Sequence, residues 1–153
     1  MLIAMIKLPP LLGTTLSGQP ICLPEELPPT PVALIFGFEH DARHDVGAWK
    51  SFFKAQGIAY LSVPITPVDV PANALVPIME AMKRHVPPPA WESIVLVHQG
   101  GSTLLRAFDW EADPFAKVVL MEGGRERAAH GIGAFSEKAG EGFTQTSPGP
   151  PTP

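Results

Sequence analysis

Four short apolar runs set the limits on what this chain can fold into. Val32-Ala-Leu-Ile-Phe-Gly-Phe38, Ile58-Ala-Tyr-Leu-Ser-Val63, Ile94-Val-Leu-Val97 and Val118-Val-Leu-Met121 are four to seven residues long. The first of them is bounded by proline and charge. Runs of that length read as strands, Val32–Phe38 as one buried on both faces and Ile94–Val97 as another buried strand. Between the first two, Val46, Trp49 and Phe53 recur at i, i+3 and i+7, with Phe52 beside them, which makes one helical stripe. His44 or Asp45 is expected to cap that helix, Asp being the better N-cap, and Gly57 to end it as the C′ residue. Strand, helix and strand therefore follow one another as a βαβ unit, for which a right-handed crossover is expected.

The rest of the chain continues the alternation. Pro77 suits the first position of a second helix, where Met79, Met82 and Val86 form a stripe up to Pro87. Gly100-Gly101 turns the chain into a short helix carrying Leu104, Leu105 and Phe108, with Ser102 or Thr103 as its expected cap. Val118–Met121, Gly123-Gly124 and Arg125–Ile132 read as a β-hairpin, and residues 134–143 as a short final helix. Ahead of all this, Leu11–Leu16, the turn Gly18-Gln19-Pro20 and Ile21-Cys22-Leu23 suggest that residues 1–30 form an extended arm or hairpin. The nineteen prolines fall mostly between these elements, as punctuation. One domain over residues 1–143 is expected, and the Pro/Gly/Ser/Thr tail 144–153 is expected to be disordered.

Composition narrows the class. A chain of 153 residues buries about 70% of its unfolded surface, so neither disulfide nor metal is needed for stability. The net charge of -4, without a cluster of Lys and Arg, argues against nucleic acid as a partner. The single cysteine, Cys22, forms no internal disulfide and no zinc site by itself. The opening residues lack a basic segment followed by a long apolar one, and no run approaches the roughly eighteen apolar residues of a membrane span. A cytoplasmic protein without a membrane partner is the expectation.

The order β-α-β-α-β-α-β-β-α, a parallel core closed by an antiparallel hairpin, resembles the thioredoxin-like superfamily and its peroxiredoxin and alkyl-hydroperoxide-reductase branch. Three local matches carry the resemblance. Gly13-Thr-Thr-Leu-Ser-Gly-Gln19 is similar to that branch's opening hairpin, Val32–Phe38 to the strand that presents its active site, and Gly131-Ile-Gly-Ala-Phe-Ser136 to the passage from hairpin to last helix. The resemblance covers residues 10–143. It implies an α/β three-layer fold with a central mixed sheet flanked by helices.

It also implies a cysteine, or a Cys-x-x-Cys pair, just after that strand, where a helix N-terminus lowers the thiol pKa. Here the segment reads Glu39-His-Asp-Ala-Arg-His-Asp45 and has no thiol. Without a thiolate there is no attack on a peroxide or a disulfide. The family's proline loop, which faces this place, is matched by Asp113-Pro114. The candidate site is therefore Glu39, His40, Asp41, Arg43, His44 and Asp45 with Asp113 and Pro114, at the carboxyl end of a parallel strand where open α/β sheets bind ligands.

Arg43 suits a carboxylate or phosphate, and His44 at a helix N-terminus suits a neutral base. A solvated loop with an Asp cap is the alternative. His40 and His44 have the spacing of a helical zinc pair, but His40 falls on the turn and no third ligand is evident, so no metal is expected. Cys22, between Ile21 and Leu23, reads as a small buried hydrophobe. His98-Gln99-Gly100-Gly101 reads as a tight turn before a helix; an anion cradle is the weaker alternative, since no phosphate-loop signature accompanies it.

Three functions fit. The first is a non-catalytic binding or assembly module for a protein or a small ligand, anionic in one version, with no cofactor. In general layout it is similar to a cysteine-free class of this fold with a chaperone-like role, the mitochondrial ATP-synthase assembly factor. The second is a thiol-independent enzyme using residues 39–45. The third is a redox protein working through Cys22.

Overall fold

The structure, a computed structural model, describes residues 8–27, 30–38, 43–112, 115–122 and 125–132. The expected final helix over 134–143 and the tail 144–153 lie outside them.

Every apolar run is a strand. The runs form β3 (Val32–Gly37), β4 (Ala59–Pro64), β5 (Val95–Gln99) and β6 (Lys117–Glu122), and β7 (Arg125–Ile132) follows. β3 and β4 pair in parallel from Val32↔Ala59 to Gly37↔Pro64. β6 lies antiparallel on the other side of β3, and β7 antiparallel on β6. This gives a four-stranded sheet in the order β4-β3-β6-β7.

Of the extended arm or hairpin expected over residues 1–30, the described residues show the hairpin. β1 (Leu11–Thr15) and β2 (Pro20–Leu23) form the expected hairpin, and β1 also pairs antiparallel with β5 in a second sheet, β2-β1-β5. The turn needs Gly18 at φ 101°. The buried Thr15 hydroxyl accepts the Gln19 N–H at 3.0 Å within that turn. The two sheets meet where β4 and β5 run parallel, through the bridges Ser62↔Ile94 and Ile65↔Val97.

Among the described residues, three α-helices cover the strands. α1 (Arg43–Ala55) lays Trp49 and Phe53 on Ala33, Ile35, Val118 and Leu120. Trp49 and Phe53 stack at 5.8 Å and are fully buried, each contributing on the order of 2–3 kcal/mol of apolar burial. α2 (Val76–Lys83) and the 3-10 turn Ala72–Leu75 before it cover Ile94 and Leu96 with Met79 and Leu75. α3 (Gly101–Phe108) presents Leu104 and Phe108 to the opposite side of β5, where they share a core with Leu34, Phe36, Val97, Val119 and Met121. Helices thus flank mixed sheets. A 3-10 turn over Pro88–Ser93, not foreseen above, follows from three consecutive prolines that fix φ near −65°.

The helix ends correct several expectations. Gly57, at φ 71°, closes α1 as foreseen: the Ile58 N–H reaches the Phe53 carbonyl at 2.9 Å and the Gly57 N–H the Lys54 carbonyl at 3.2 Å. His44 and Asp45 do not cap α1, because both already lie inside its first turn. Ser102 and Thr103 lie inside α3, whose cap is Gly100 at φ 102° with no side-chain cap bond. Only glycine suits Gly100, since a Cβ there would meet the Pro10 carbonyl and Leu11. Pro77 is the second residue of α2, one position later than expected.

Candidate functional site

β3 delivers its carboxyl end to the centre of the four-stranded sheet. Gly37 pairs with Pro64, and its carbonyl also accepts the Ile65 N–H at 2.9 Å. The chain re-enters the described residues at Arg43, where α1 begins. Among the candidate residues, Glu39, His40, Asp41, Asp113 and Pro114 lie outside the described residues. Arg43 and His44 are described by their backbone alone, as the first two residues of α1.

Asp45 is the candidate whose side chain is described. Its Oδ2 accepts the Ala116 N–H at 3.4 Å. The carboxylate therefore ties the first turn of α1 to the start of β6, two residues past Pro114. It also stands where the helix dipole favours negative charge. The bond brings together two segments that are 71 residues apart in sequence.

A residue absent from the candidate set stands next to this link. Lys117 opens β6 directly opposite Phe36 and is 1% exposed. Its Nζ donates to the Phe115 carbonyl at 3.1 Å. A buried ammonium needs such partners, since desolvation without them costs several kcal/mol. The strand alternation puts Lys117 on the face of Val119 and Met121, the α3 side. On that side Trp110 stacks on Phe108 at 4.5 Å and lies 6.1 Å from Phe36. The signal in the sequence was a charged residue immediately ahead of the run Val118–Met121.

The single cysteine stands elsewhere. Cys22 is on β2, and β1, β5 and β4 separate it from β3. Four inter-strand steps amount to about 19 Å. Partial burial, and then the carboxylates of Glu25 and Glu26, push its thiol pKa up. Both backbone polar groups of Cys22 are taken by Glu26, whose carboxylate accepts the Cys22 N–H and whose own N–H reaches the Cys22 carbonyl, each at 3.0 Å.

The glycine turn after β5 is built for packing. The Gly100 N–H already donates to the Asp69 carboxylate at 2.9 Å. A Cβ on Gly101 would run into the Thr66 carbonyl oxygen. A tight turn is thus the better account of this segment than an anion cradle.

No protein-family model matches this chain, and no curated protein sequence does. Solved structures do match in fold. A putative electron transfer protein from Aquifex aeolicus VF5 is similar with a TM-score of 0.63 at 12% identity, covering 93% of this chain and 94% of that one. This is a thioredoxin-like fold. BsSco, a member of the Sco family of cytochrome c oxidase assembly proteins, is similar at a TM-score of 0.58 and 12% identity over 95% of this chain and 94% of its own. A thiol peroxidase from Chromobacterium violaceum reaches 0.57 at 16% identity over 94% and 86%. At these identities the likeness is one of fold. The thioredoxin-like chain described here carries one cysteine and no Cys-x-x-Cys pair.

Proposed function

We propose that this thioredoxin-like domain is a binding module of the assembly or chaperone kind that works without thiol–disulfide chemistry. The observation that carries the reading is the position of its lone thiol. Cys22 lies on β2, about four strand spacings from the carboxyl end of β3, with its pKa raised by partial burial and by two carboxylates. A reactive thiolate needs the opposite surroundings, a positive field and a helix N-terminus. The ligand surface in this proposal is the segment Glu39–Asp45 together with Asp113 and Pro114. The Asp45–Ala116 bond supports it, because it fastens the start of α1 to the strand that follows Pro114. Arg43 supplies a planar donor fork for a carboxylate or phosphate, on a partner protein or on a small ligand.

An insulin-reduction assay and a peroxide-consumption assay test the absence of thiol chemistry. Both parent and Cys22→Ser stay at background; turnover in either overturns that part of the proposal. The binding surface is tested with Arg43→Ala in a pull-down and in a screen of anionic metabolites. Arg43→Ala weakens capture while stability changes by no more than about 0.5 kcal/mol, the usual range for a substitution away from packed features. Unchanged binding removes Arg43 from the surface.

A further inference from the structure

One peptide group just past Pro114 is held at both of its polar ends. The Ala116 N–H donates to the Asp45 carboxylate at 3.4 Å. The carbonyl of the same peptide unit, that of Phe115, accepts from Lys117 Nζ at 3.1 Å. The charges match the peptide dipole, whose N–H end is positive and whose C=O end is negative. Bonds to charged partners are stronger than neutral ones. The two grips come from different elements, Asp45 from the first turn of α1 and Lys117 from the start of β6. Keeping an ammonium at 1% exposure costs stability, so the order of this loop is held against that cost.

The clamped peptide carries an aromatic ring at the surface. Phe115 is 51% exposed, whereas Ala116 and Lys117 after it are buried. A planar peptide fixed at both ends also fixes the direction in which the Cα–Cβ bond of Phe115 leaves the loop. A single exposed apolar side chain is ordinary on a protein surface. An exposed ring on a peptide gripped by two charged groups, one of them buried, is not. Aromatic side chains dominate interface energetics, and a group already oriented loses less freedom on association.

We propose that Asp45 and Lys117 hold Phe115 out as an aromatic anchor for a partner polypeptide that exposes an apolar segment. The inference rests on the reading of this domain as an assembly or chaperone module, and it selects a polypeptide over a small anionic ligand. An anion gains nothing from an apolar ring, whereas an apolar segment buries the ring on contact. Phe115 follows Pro114 directly, so the anchor is continuous with the ligand surface. Lys117 is too deeply buried to touch a partner and acts through Phe115, as a positioning residue.

Binding of the full chain to fluorescently labelled β-casein, an unfolded polypeptide with exposed apolar segments, tests the proposal by anisotropy. Saturable binding is expected. Phe115→Ser should weaken it at least about fivefold, the effect of losing an anchor, with an unchanged melting temperature. Ile78→Ser, at a comparably exposed apolar position on α2, should change it less than about twofold. Lys117→Met should weaken it about two- to threefold by loosening the ring. Added to Phe115→Ser, Lys117→Met should cause no further loss, since its effect runs through that ring; a merely structural role would multiply the two losses. If Lys117→Met does not fold, Asp45→Ala, which opens the other end of the clamp, takes its place in the same comparison. No saturable binding, an Ile78→Ser loss as large as that of Phe115→Ser, or losses that multiply would overturn the anchor. A loss with Arg43→Ala but none with Phe115→Ser would overturn it too, while leaving the ligand surface standing.

Discussion

Glycines show at the residue scale how identical side chains answer to different surroundings. Gly47 sits inside α1 with open space where a Cβ would be. Gly47→Ala should stabilise the protein by about 0.5–1 kcal/mol, because alanine loses less backbone freedom in a helix. Gly101 also sits in a helix, but the Thr66 carbonyl occupies the place of its Cβ. Gly101→Ala should destabilise by about 1–3 kcal/mol, the cost of overpacking. Urea unfolding of the two variants checks both signs; equal effects would mean that the Thr66 contact relaxes freely. Cys22 gives a chemical test at the same scale. With its pKa raised, less thiolate is present at a given pH. Iodoacetamide at pH 8 should therefore alkylate Cys22 more slowly in the folded protein than in urea, and the gap should narrow as pH rises. Equal rates at pH 8 would contradict the protective role of burial, Glu25 and Glu26.

Asp45 is the clearest case at the element scale. As an N-cap it would serve α1 alone, but its carboxylate instead crosses to Ala116 at the start of β6. Its loss removes a helix–strand tie and a favourable charge at the helix start. Asp45→Ala should cost about 1 kcal/mol, and Asp45→Asn, which keeps an acceptor oxygen, about half as much. Thermal unfolding measures both; an Asn variant as damaged as the Ala variant would place the whole effect in the charge. The edge strand β2 illustrates another element-level device. Pro20 opens the strand, Pro24 follows it, and Glu26 covers the backbone of Cys22, so this edge offers little to a second chain.

Two hydrogen-bonded sheets share one interior at the scale of the whole molecule. Leu11 and Leu23 of the hairpin pack in the same core as Leu34, Val119 and Met121 of the four-stranded sheet. Such sharing predicts a single cooperative transition. Trp49 reports the α1 core and Trp91, whose Nε1 donates to the Val86 carbonyl at 2.8 Å, the α2 core. Variants retaining only one of these tryptophans should unfold in urea with coincident midpoints. Earlier melting on the Trp91 side would mean that the β4–β5 junction, held by isolated bridges, separates first.

Local patterns were legible in the sequence because their causes are local. A short apolar run between turn residues favours a strand, and all four runs became strands, β3 buried along nearly its whole length. The α1 stripe and the left-handed Gly57 follow from helix periodicity and from the freedom of glycine. A chain with one cysteine also rules out a Cys-x-x-Cys pair before any fold is known. What the tertiary structure alone decided involves partners distant along the chain. Asp45 found Ala116, Gly101 found Thr66, and the hairpin strand β1 found β5. Lys117 is only a charged residue ahead of an apolar run in the sequence; the strand pairing places it beside Phe36 and buries it. The separation of Cys22 from β3 is a matter of strand order, which depends on which edges pair once the cores form. Periodicity determines which face of a segment is buried; only the packed chain determines what that face is buried against.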